Sequence, residues 1–189
     1  MKAIYSMVFG LALALFATQA SAATNIAGVA VPDVLQYAGK TMLHNGSGLR
    51  KKFFIKLYVS SLYLSQKSKD GDAIVAADQP MAIRLVVTSG RVTQAKMKQA
   101  IVQGLTVSTK NNLAPIQAEV DQILTVFDKG VAVGDAFEII NVVGSGLHVV
   151  KNGEKVLAIR SPAFKQALFG MWLSKTPVDA GLRAGMLGL

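Results

Sequence analysis

Residues 45–58 of the chain have the sequence NGSGLRKKFFIKLY, in which a glycine-rich segment leads into a run of aromatic and β-branched residues. The surrounding segment from Gly39 to Leu49 is rich in turn-forming residues, and we predict a turn there that delivers Arg50 to the start of a strand. That strand is predicted over residues 53–64, because apolar side chains alternate along it. One face of the strand is expected to be core, while the opposite face mixes polar groups such as Tyr58 into an apolar end. The apolar set comprises Phe53, Ile55, Leu57, Val59 and Tyr63.

The rest of the chain alternates between segments with strand and helix patterns. In order, we predict a strand at 83–88, a helix capped by Thr93, a helix from Pro115, strands at 136–143, 147–151 and 155–159, a helix at 163–173 capped by Ser161-Pro162, and a short helix from Pro177 to Gly188. Asn152-Gly153 is a strong signal for a hairpin between the last two strands. This order predicts an α+β fold, in which a large antiparallel sheet carries a layer of helices on one face.

The N-terminal segment from Met1 to Ala22 is predicted to be a cleavable signal peptide. Lys2 precedes the apolar run from Met7 to Phe16, and Ala20-Ser21-Ala22 supplies the small residues that a signal peptidase requires. The alternative is an uncleaved membrane anchor, but this run is shorter than the roughly 20 apolar residues that span a bilayer. We therefore expect a periplasmic or secreted protein with no integral membrane segment after cleavage.

After cleavage, residues 23–189 are expected to form a single domain and to be monomeric. These 167 residues provide enough chain for a hydrophobic core. Without Lys2, 19 basic and 11 acidic residues remain, and the net charge of +8 favours anionic partners. The basic residues are scattered, with no long basic run and no interleaved aromatic residues. Nucleic-acid binding is therefore not expected.

The chain contains no cysteine and two histidines, His44 and His148. Without cysteine, disulfides, thiol catalysis and thiolate metal sites are excluded. Neither histidine lies in a metal-ligand spacing, so we expect no metal and no cofactor. The carboxylates are scattered and no G-x-S-x-G sequence occurs, so no catalytic acid–base pair or serine nucleophile is evident.

Arg50 is the strongest candidate for a ligand-binding residue. The glycines before it would bring the backbone close to a pocket in which its guanidinium binds a carboxylate or other oxyanion. The alternative is a hairpin turn that carries a surface arginine. The Tyr58 hydroxyl would complete an anion clamp with Arg50 in an apolar cavity. Trp172 and Phe169 either line such a cavity or, as is more usual for large aromatics, belong to the core.

The run from Asn45 to Tyr58, continued by Leu62-Tyr63-Leu64, resembles the bacterial chalcone isomerase-like family. Further matching segments extend across most of the mature chain, namely Gly134-Asp135, Gly144-Ser145-Gly146, Asn152-Gly153-Glu154, Ile159, Phe164 and residues 167–173. The resemblance implies an open-faced β-sandwich, a large antiparallel sheet with a layer of helices on one face.

The resemblance also implies roles for the matching positions. In the plant isomerases, the arginine after the G-x-G sequence binds the substrate and steadies a phenolate during ring closure, and Arg50 occupies that position. Tyr58 replaces a threonine, and Lys96 and Gln103 stand where a tyrosine and an asparagine are expected. The non-catalytic fatty-acid-binding relatives pair the arginine with a tyrosine at the Tyr58 position, and the two hold a carboxylate.

The chain therefore resembles the binding branch of the family more than the enzyme branch. We expect a non-enzymatic binding protein for a fatty acid or similar amphipathic anion, with Arg50, Tyr58, Lys96 and Gln103 as its ligand-binding residues. One alternative is a chalcone isomerase-type intramolecular lyase, in which Arg50 would have the electrostatic catalytic role. Another is a structural or accessory envelope protein without a ligand.

Overall fold

The structure, a computed structural model, describes residues 23–189. The predicted signal peptide, Met1 to Ala22, lies outside the described residues. The strands are β1 (Ala23–Ile26), β2 (Val29–Pro32), β3 (Val34–Tyr37), β4 (Lys40–Lys52), β5 (Ile55–Leu64), β6 (Met81–Val87), β7 (Ala136–Val142), β8 (Gly146–Lys151) and β9 (Glu154–Ile159). The helices are α1 (Gly71–Ala76), α2 (Gln94–Ser108), α3 (Gln117–Thr125), α4 (Pro162–Leu173) and α5 (Ala180–Leu187).

Strands β3 to β9 form one seven-stranded sheet in chain order, and every neighbouring pair is antiparallel. Strands β1 and β2 pair with each other in a separate two-stranded hairpin. The predicted hairpin at Asn152-Gly153 is confirmed, since Lys151 pairs with Glu154 across it. The longest hairpin is β4–β5, which places Gly48 opposite Ser60 and Arg50 opposite Tyr58. Because directly opposed residues project from the same face, Arg50 and Tyr58 share one side of the sheet.

Side-chain caps determine where most of the helices begin. The predicted caps are confirmed, because Thr93 accepts a hydrogen bond from the Lys96 N–H and Ser161 accepts one from the Phe164 N–H. The helix predicted from Pro115 starts as a 3₁₀ turn, Ala114–Ile116, before α3. Within residues 23–189, no helix has the length and apolar character needed to cross a membrane.

The last helix begins later than predicted. Asp179, rather than Pro177, caps α5, and its Oδ1 accepts a hydrogen bond of 2.7 Å from the Leu182 N–H. Gly188 ends the helix in a left-handed conformation, as expected for a C-terminal glycine.

Each face of the sheet carries a buried cluster, one under the helices and one under the β1–β2 hairpin, and side chains alternate between the two faces along each strand. Leu62 and Leu64 belong to the larger core under the helices, whereas Val59 and Tyr63 pack against the β1–β2 hairpin. The Tyr63 hydroxyl donates to the Pro32 carbonyl at 3.0 Å. The prediction of a helical layer on one face is confirmed. We predicted that the continuously apolar face of β5 faces the core. Val59 and Tyr63 on that face are buried, but the larger core lies on the opposite, mixed face that carries Tyr58.

The glycine-rich segment is a strand and not the predicted turn. Residues Lys40–Lys52 form β4, and the turn falls instead at Phe53–Phe54, so β5 begins at Ile55 rather than at Phe53. Phe53, which we predicted in the core, is 84% exposed.

Helix α5 explains why glycines occupy this strand. A Cβ on Gly46 would collide with the backbone carbonyl of Gly185, and one on Gly48 would lie 2.7 Å from the Leu182 carbonyl oxygen. Asn45, at the start of the segment, donates to the Met186 carbonyl at 3.0 Å. The G-x-G sequence therefore allows a helix to pack directly on the strand backbone, and it holds Arg50 at the end of that contact.

Candidate functional site

A cavity of about 640 Å³ opens between the sheet and the helices. One wall comes from the neighbouring strands β4 to β7 and the other from α2 and α4. The lining is mostly apolar and aromatic, which is the composition of a small-molecule cavity. The lining includes Arg50, Lys52, Phe53, Tyr58, Arg91, Lys96, Gln103, Phe137, Met171 and Trp172.

Arg50 and Tyr58 are brought together by the strand register, because they are directly opposed across β4 and β5. Arg50 is half-buried and is not the surface arginine of the alternative interpretation. Its Nη1 donates to Asp179 Oδ2 at 2.5 Å and to the Lys51 carbonyl at 3.3 Å. Both of these bonds use Nη1, and the guanidinium also lies within hydrogen-bonding reach of the Tyr58 hydroxyl, which leaves further N–H groups for a ligand. Arg50 can therefore hold Asp179 and still donate to a second anion.

Tyr58 presents a neutral phenol to the cavity. Burial raises the pKa of the Tyr58 hydroxyl, and the neighbouring Trp172 indole and Arg50 guanidinium only partly oppose that shift. The hydroxyl therefore stays protonated across the physiological pH range and can donate a hydrogen bond to an anionic acceptor.

Trp172 supplies a third donor beside Arg50 and Tyr58. The residue is 2% exposed, and its Nε1–H lies beside the Tyr58 hydroxyl without completing a hydrogen bond of normal geometry among the described residues. Indole N–H groups normally find a partner when they are buried, because an unpaired buried donor costs about 1–3 kcal/mol. A ligand acceptor in the cavity would satisfy this donor. Phe169, the other aromatic weighed from the sequence, is fully buried in the core and does not line the cavity.

Lys96 and Gln103 also line the cavity, at its solvent-exposed side on α2. They lie seven residues apart, which places both on one face of the helix. The Lys96 ammonium group donates to the Arg91 carbonyl at 3.3 Å. The structure thus places all four predicted site residues on one cavity, with Arg50 and Tyr58 adjacent in the sheet and the α2 pair on the exposed wall.

The charge of the cavity wall is positive. Arg50, Lys52, Arg91 and Lys96 line it, and no carboxylate does. Asp179 lies outside the lining and offsets one of these charges through its ion pair with Arg50. An apolar cavity with a cationic wall is suited to an amphipathic anion. Within residues 23–189, no cluster of three or more metal-ligating side chains occurs.

Sequence reasoning did not identify Asp179 or the role of the Trp172 indole. An aspartate just ahead of a helical segment is a recognisable N-cap signal, so the position of Asp179 was accessible. Its pairing with Arg50 was not, because 129 residues separate the two. The surroundings of the indole depend on how distant segments pack around it, and no local sequence pattern predicts such packing.

The antiparallel sheet, its single layer of helices and the cavity between them define an open-faced β-sandwich. The chain belongs to the chalcone isomerase-like family, whose sequence profile matches residues 23–188. It is similar in structure to a fatty-acid binding protein from Arabidopsis thaliana, with a TM-score of 0.69 and 16% identity, over 88% of this chain and 95% of that chain. A comparison of the sequence with curated proteins returns no match. The predicted family and fold are thereby confirmed.

Proposed function

We propose that this chain is a non-enzymatic binding protein for a fatty acid or a similar amphipathic anion. The observation that carries the proposal is the convergence of three donors, the Tyr58 hydroxyl, the Arg50 guanidinium and the buried Trp172 indole N–H, on one part of an apolar cavity. A carboxylate is acceptor-only and can receive hydrogen bonds from all three groups. The acyl chain would occupy the apolar part of the cavity, next to Phe137 and Met171.

The size and charge of the cavity support this ligand class. Small-molecule cavities commonly have volumes of roughly 300–1,000 Å³, and this cavity falls in that range. The cations on its wall favour an anionic head group over a neutral one. The similar Arabidopsis structure is that of a fatty-acid binding protein, which supports the choice of ligand class.

Titration with palmitate is the direct test, and the chain carries its own reporter. Trp172 is the single tryptophan of the sequence and lines the cavity, so its fluorescence should change when a ligand enters. Hexadecanol, with the same chain length but no charge, separates recognition of the carboxylate from burial of the alkyl chain. We expect palmitate to bind at least about tenfold more tightly than hexadecanol, since hydrogen bonds to a charged group are worth roughly 1.5–3 kcal/mol. Equal affinities would overturn the proposed head-group site.

Tyr58→Phe tests the site itself, because it removes one donor and preserves the ring. We expect it to weaken palmitate binding about tenfold and to leave hexadecanol binding unchanged. Tyr37→Phe is the matched control, since the Tyr37 hydroxyl bonds to His148 and lies outside the cavity. Lipid extraction and mass spectrometry of the purified proteins should recover acyl ligand from the wild type and from Tyr37→Phe, with less from Tyr58→Phe. If none of the proteins carries or binds an acyl ligand, the envelope protein without a ligand becomes the better hypothesis.

We further propose that the protein acts outside the cytoplasm, in the periplasm or after secretion. The basis is the N-terminal sequence, in which an apolar run precedes Ala20-Ser21-Ala22. In that compartment the ligand would come from envelope lipids or imported solutes. N-terminal sequencing of the protein from an extracytoplasmic fraction should give Ala23 as the first residue. An intact Met1 in a cytoplasmic fraction would contradict the proposal.

A further inference from the structure

The turn between β4 and β5 projects two aromatic side chains into solvent. Phe53 is 84% exposed and Phe54 is 102% exposed, which makes them the most exposed large hydrophobic side chains in residues 23–189. Scattered single hydrophobic residues are normal on a protein surface, but two adjacent phenylalanines at the tip of a hairpin form a protruding apolar patch. Nothing in the fold of the domain requires them there, because neither residue belongs to a buried cluster.

The backbone at this tip is strained. Four two-residue turns join neighbouring strands of the described chain, and both residues of each turn have positive φ. Three of these turns end in glycine, as this geometry favours: Ala27-Gly28, Ala38-Gly39 and Asn152-Gly153. The fourth is Phe53-Phe54, with φ of 47° and 66° on two bulky residues. Such conformations cost about 1–3 kcal/mol each and tend to persist where a function requires the side chains.

The flanks of the tip are basic. Lys51 and Lys56 are exposed and directly opposed across the strands, and Lys52 precedes the turn. The chain contains no acidic residue between Asp33 and Asp70, so no carboxylate within the hairpin offsets these charges. An apolar tip flanked by lysines is the arrangement expected of an interfacial membrane contact. In such a contact, aromatic side chains enter the bilayer and lysines bind anionic head groups.

We propose that the Phe53-Phe54 tip docks the protein on the surface of a bilayer that contains anionic phospholipid. Lys52 and Phe53 also line the cavity, so docking would place one wall of the cavity against the membrane. A hydrophobic ligand could then pass between the bilayer and the protein with little exposure to water. The membrane contact itself does not depend on what the cavity binds.

The variant Phe53→Asn/Phe54→Gly separates docking from folding, because it installs the turn sequence that Asn152-Gly153 already uses in this chain. We expect the variant to melt at a higher temperature than the wild type, since it relieves the strain. In sedimentation with vesicles of phosphatidylcholine and phosphatidylglycerol (3:1), we expect its partition coefficient to fall at least about tenfold. Val143→Ser removes an exposed hydrophobic side chain at the opposite end of the sheet and should bind vesicles as the wild type does.

The charge requirement is tested separately with Lys51→Gln/Lys56→Gln and with vesicles of phosphatidylcholine alone. Each change should reduce binding severalfold, and added salt should weaken binding of the wild type. The proposal is overturned if the wild type fails to bind the anionic vesicles, or if Phe53→Asn/Phe54→Gly binds them as well as the wild type does. It is also overturned if the tip mediates only self-association that the double variant abolishes. Phe54→Gly leaves the cavity-lining Phe53 in place, because Phe54 is fully exposed and does not line the cavity. Palmitate titration of this single variant in solution should give wild-type affinity while its vesicle binding falls, so failure of docking and failure of ligand binding are distinguishable.

Discussion

Arg50 binds Asp179 across the junction between β4 and the N-terminus of α5, with a distance of 2.5 Å between Nη1 and Oδ2. The other carboxylate oxygen, Oδ1, caps α5 by accepting the Leu182 N–H. A single aspartate therefore starts the helix and holds the candidate ligand-binding arginine in place. One consequence is that Arg50→Ala would disturb both the packing of α5 and any ligand site. Better tests leave the helix cap intact.

Asp179→Asn is such a test. Asparagine is as good an N-cap as aspartate, so α5 should remain capped, while the negative charge that competes with a ligand carboxylate for Arg50 is removed. We expect palmitate to bind several times more tightly, with the free energy of unfolding lowered by about 1 kcal/mol through loss of the ion pair. Fluorescence titration and urea unfolding measure the two effects. Unchanged or weaker palmitate binding would show that Asp179 does not compete with the ligand.

Gly48→Ala probes the close approach of α5 to β4. The new methyl group would meet the Leu182 backbone and side chain at 2.7–2.9 Å, so the helix must shift or the strand must bend. We expect destabilisation of about 1–3 kcal/mol, as for other overpacked sites, measured by urea or thermal unfolding. Gly90→Ala is the control, because a Cβ there has no neighbour within 4 Å and the residue has no positive φ. Equal stability of the two variants would mean that α5 does not need the glycines.

The error over the glycine-rich segment shows what limits prediction of this fold from its sequence. Helices α2 and α4 and the Asn152-Gly153 hairpin were predictable, because caps, periodicity and turn residues are local signals. Strand β4 was not predictable, because its glycines are needed for close packing against α5, which lies more than 130 residues further along the chain. The Phe53-Phe54 turn was missed for the opposite reason, because its residues are poor choices for that backbone conformation. The short strands β1 to β3, near the N-terminus of the described chain, were also not predicted.

The residues of the candidate site could be predicted from the sequence. The ion pair of Arg50 and the surroundings of the Trp172 indole could not. Tyr58 was expected opposite the apolar set of β5 and near Arg50, and the register of the hairpin places the two residues face to face. Lys96 and Gln103 came only from the resemblance to the family, and both prove to line the same cavity. The partner of Arg50 and the surroundings of the Trp172 donor depend on tertiary contacts between distant segments, which composition and spacing do not encode.

Chalcone ring closure offers a test of the enzymatic alternative. Asp179 offsets the charge of Arg50 and so weakens the stabilisation that this arginine could give to a phenolate in the transition state. We therefore expect the absorbance of a hydroxychalcone to decay at its spontaneous rate in the presence of the protein. A clear acceleration that Arg50→Lys reduces, with the variant still folded by circular dichroism, would establish isomerase chemistry and contradict the binding-only proposal.

The two histidines predict how stability depends on pH. Burial lowers the pKa of His44, reinforced by Lys67, and lowers the pKa of His148, reinforced by Lys155 and Arg160. In the unfolded chain both side chains titrate near the ordinary value of about 6.5. As the pH falls through that value, the unfolded state takes up protons that the folded state does not, so the free energy of unfolding must decrease.

We expect urea unfolding to give constant stability between about pH 7 and 8, as far as the histidines determine it, and a progressive loss from about pH 6.5 downwards. His44→Asn/His148→Asn should flatten this dependence between pH 7 and 5.5, even if its stability at pH 8 is lower. The flattening is the decisive measurement, because a structural defect alone would shift the whole curve without changing its slope. A double variant that retains the wild-type slope would assign the pH dependence to other groups.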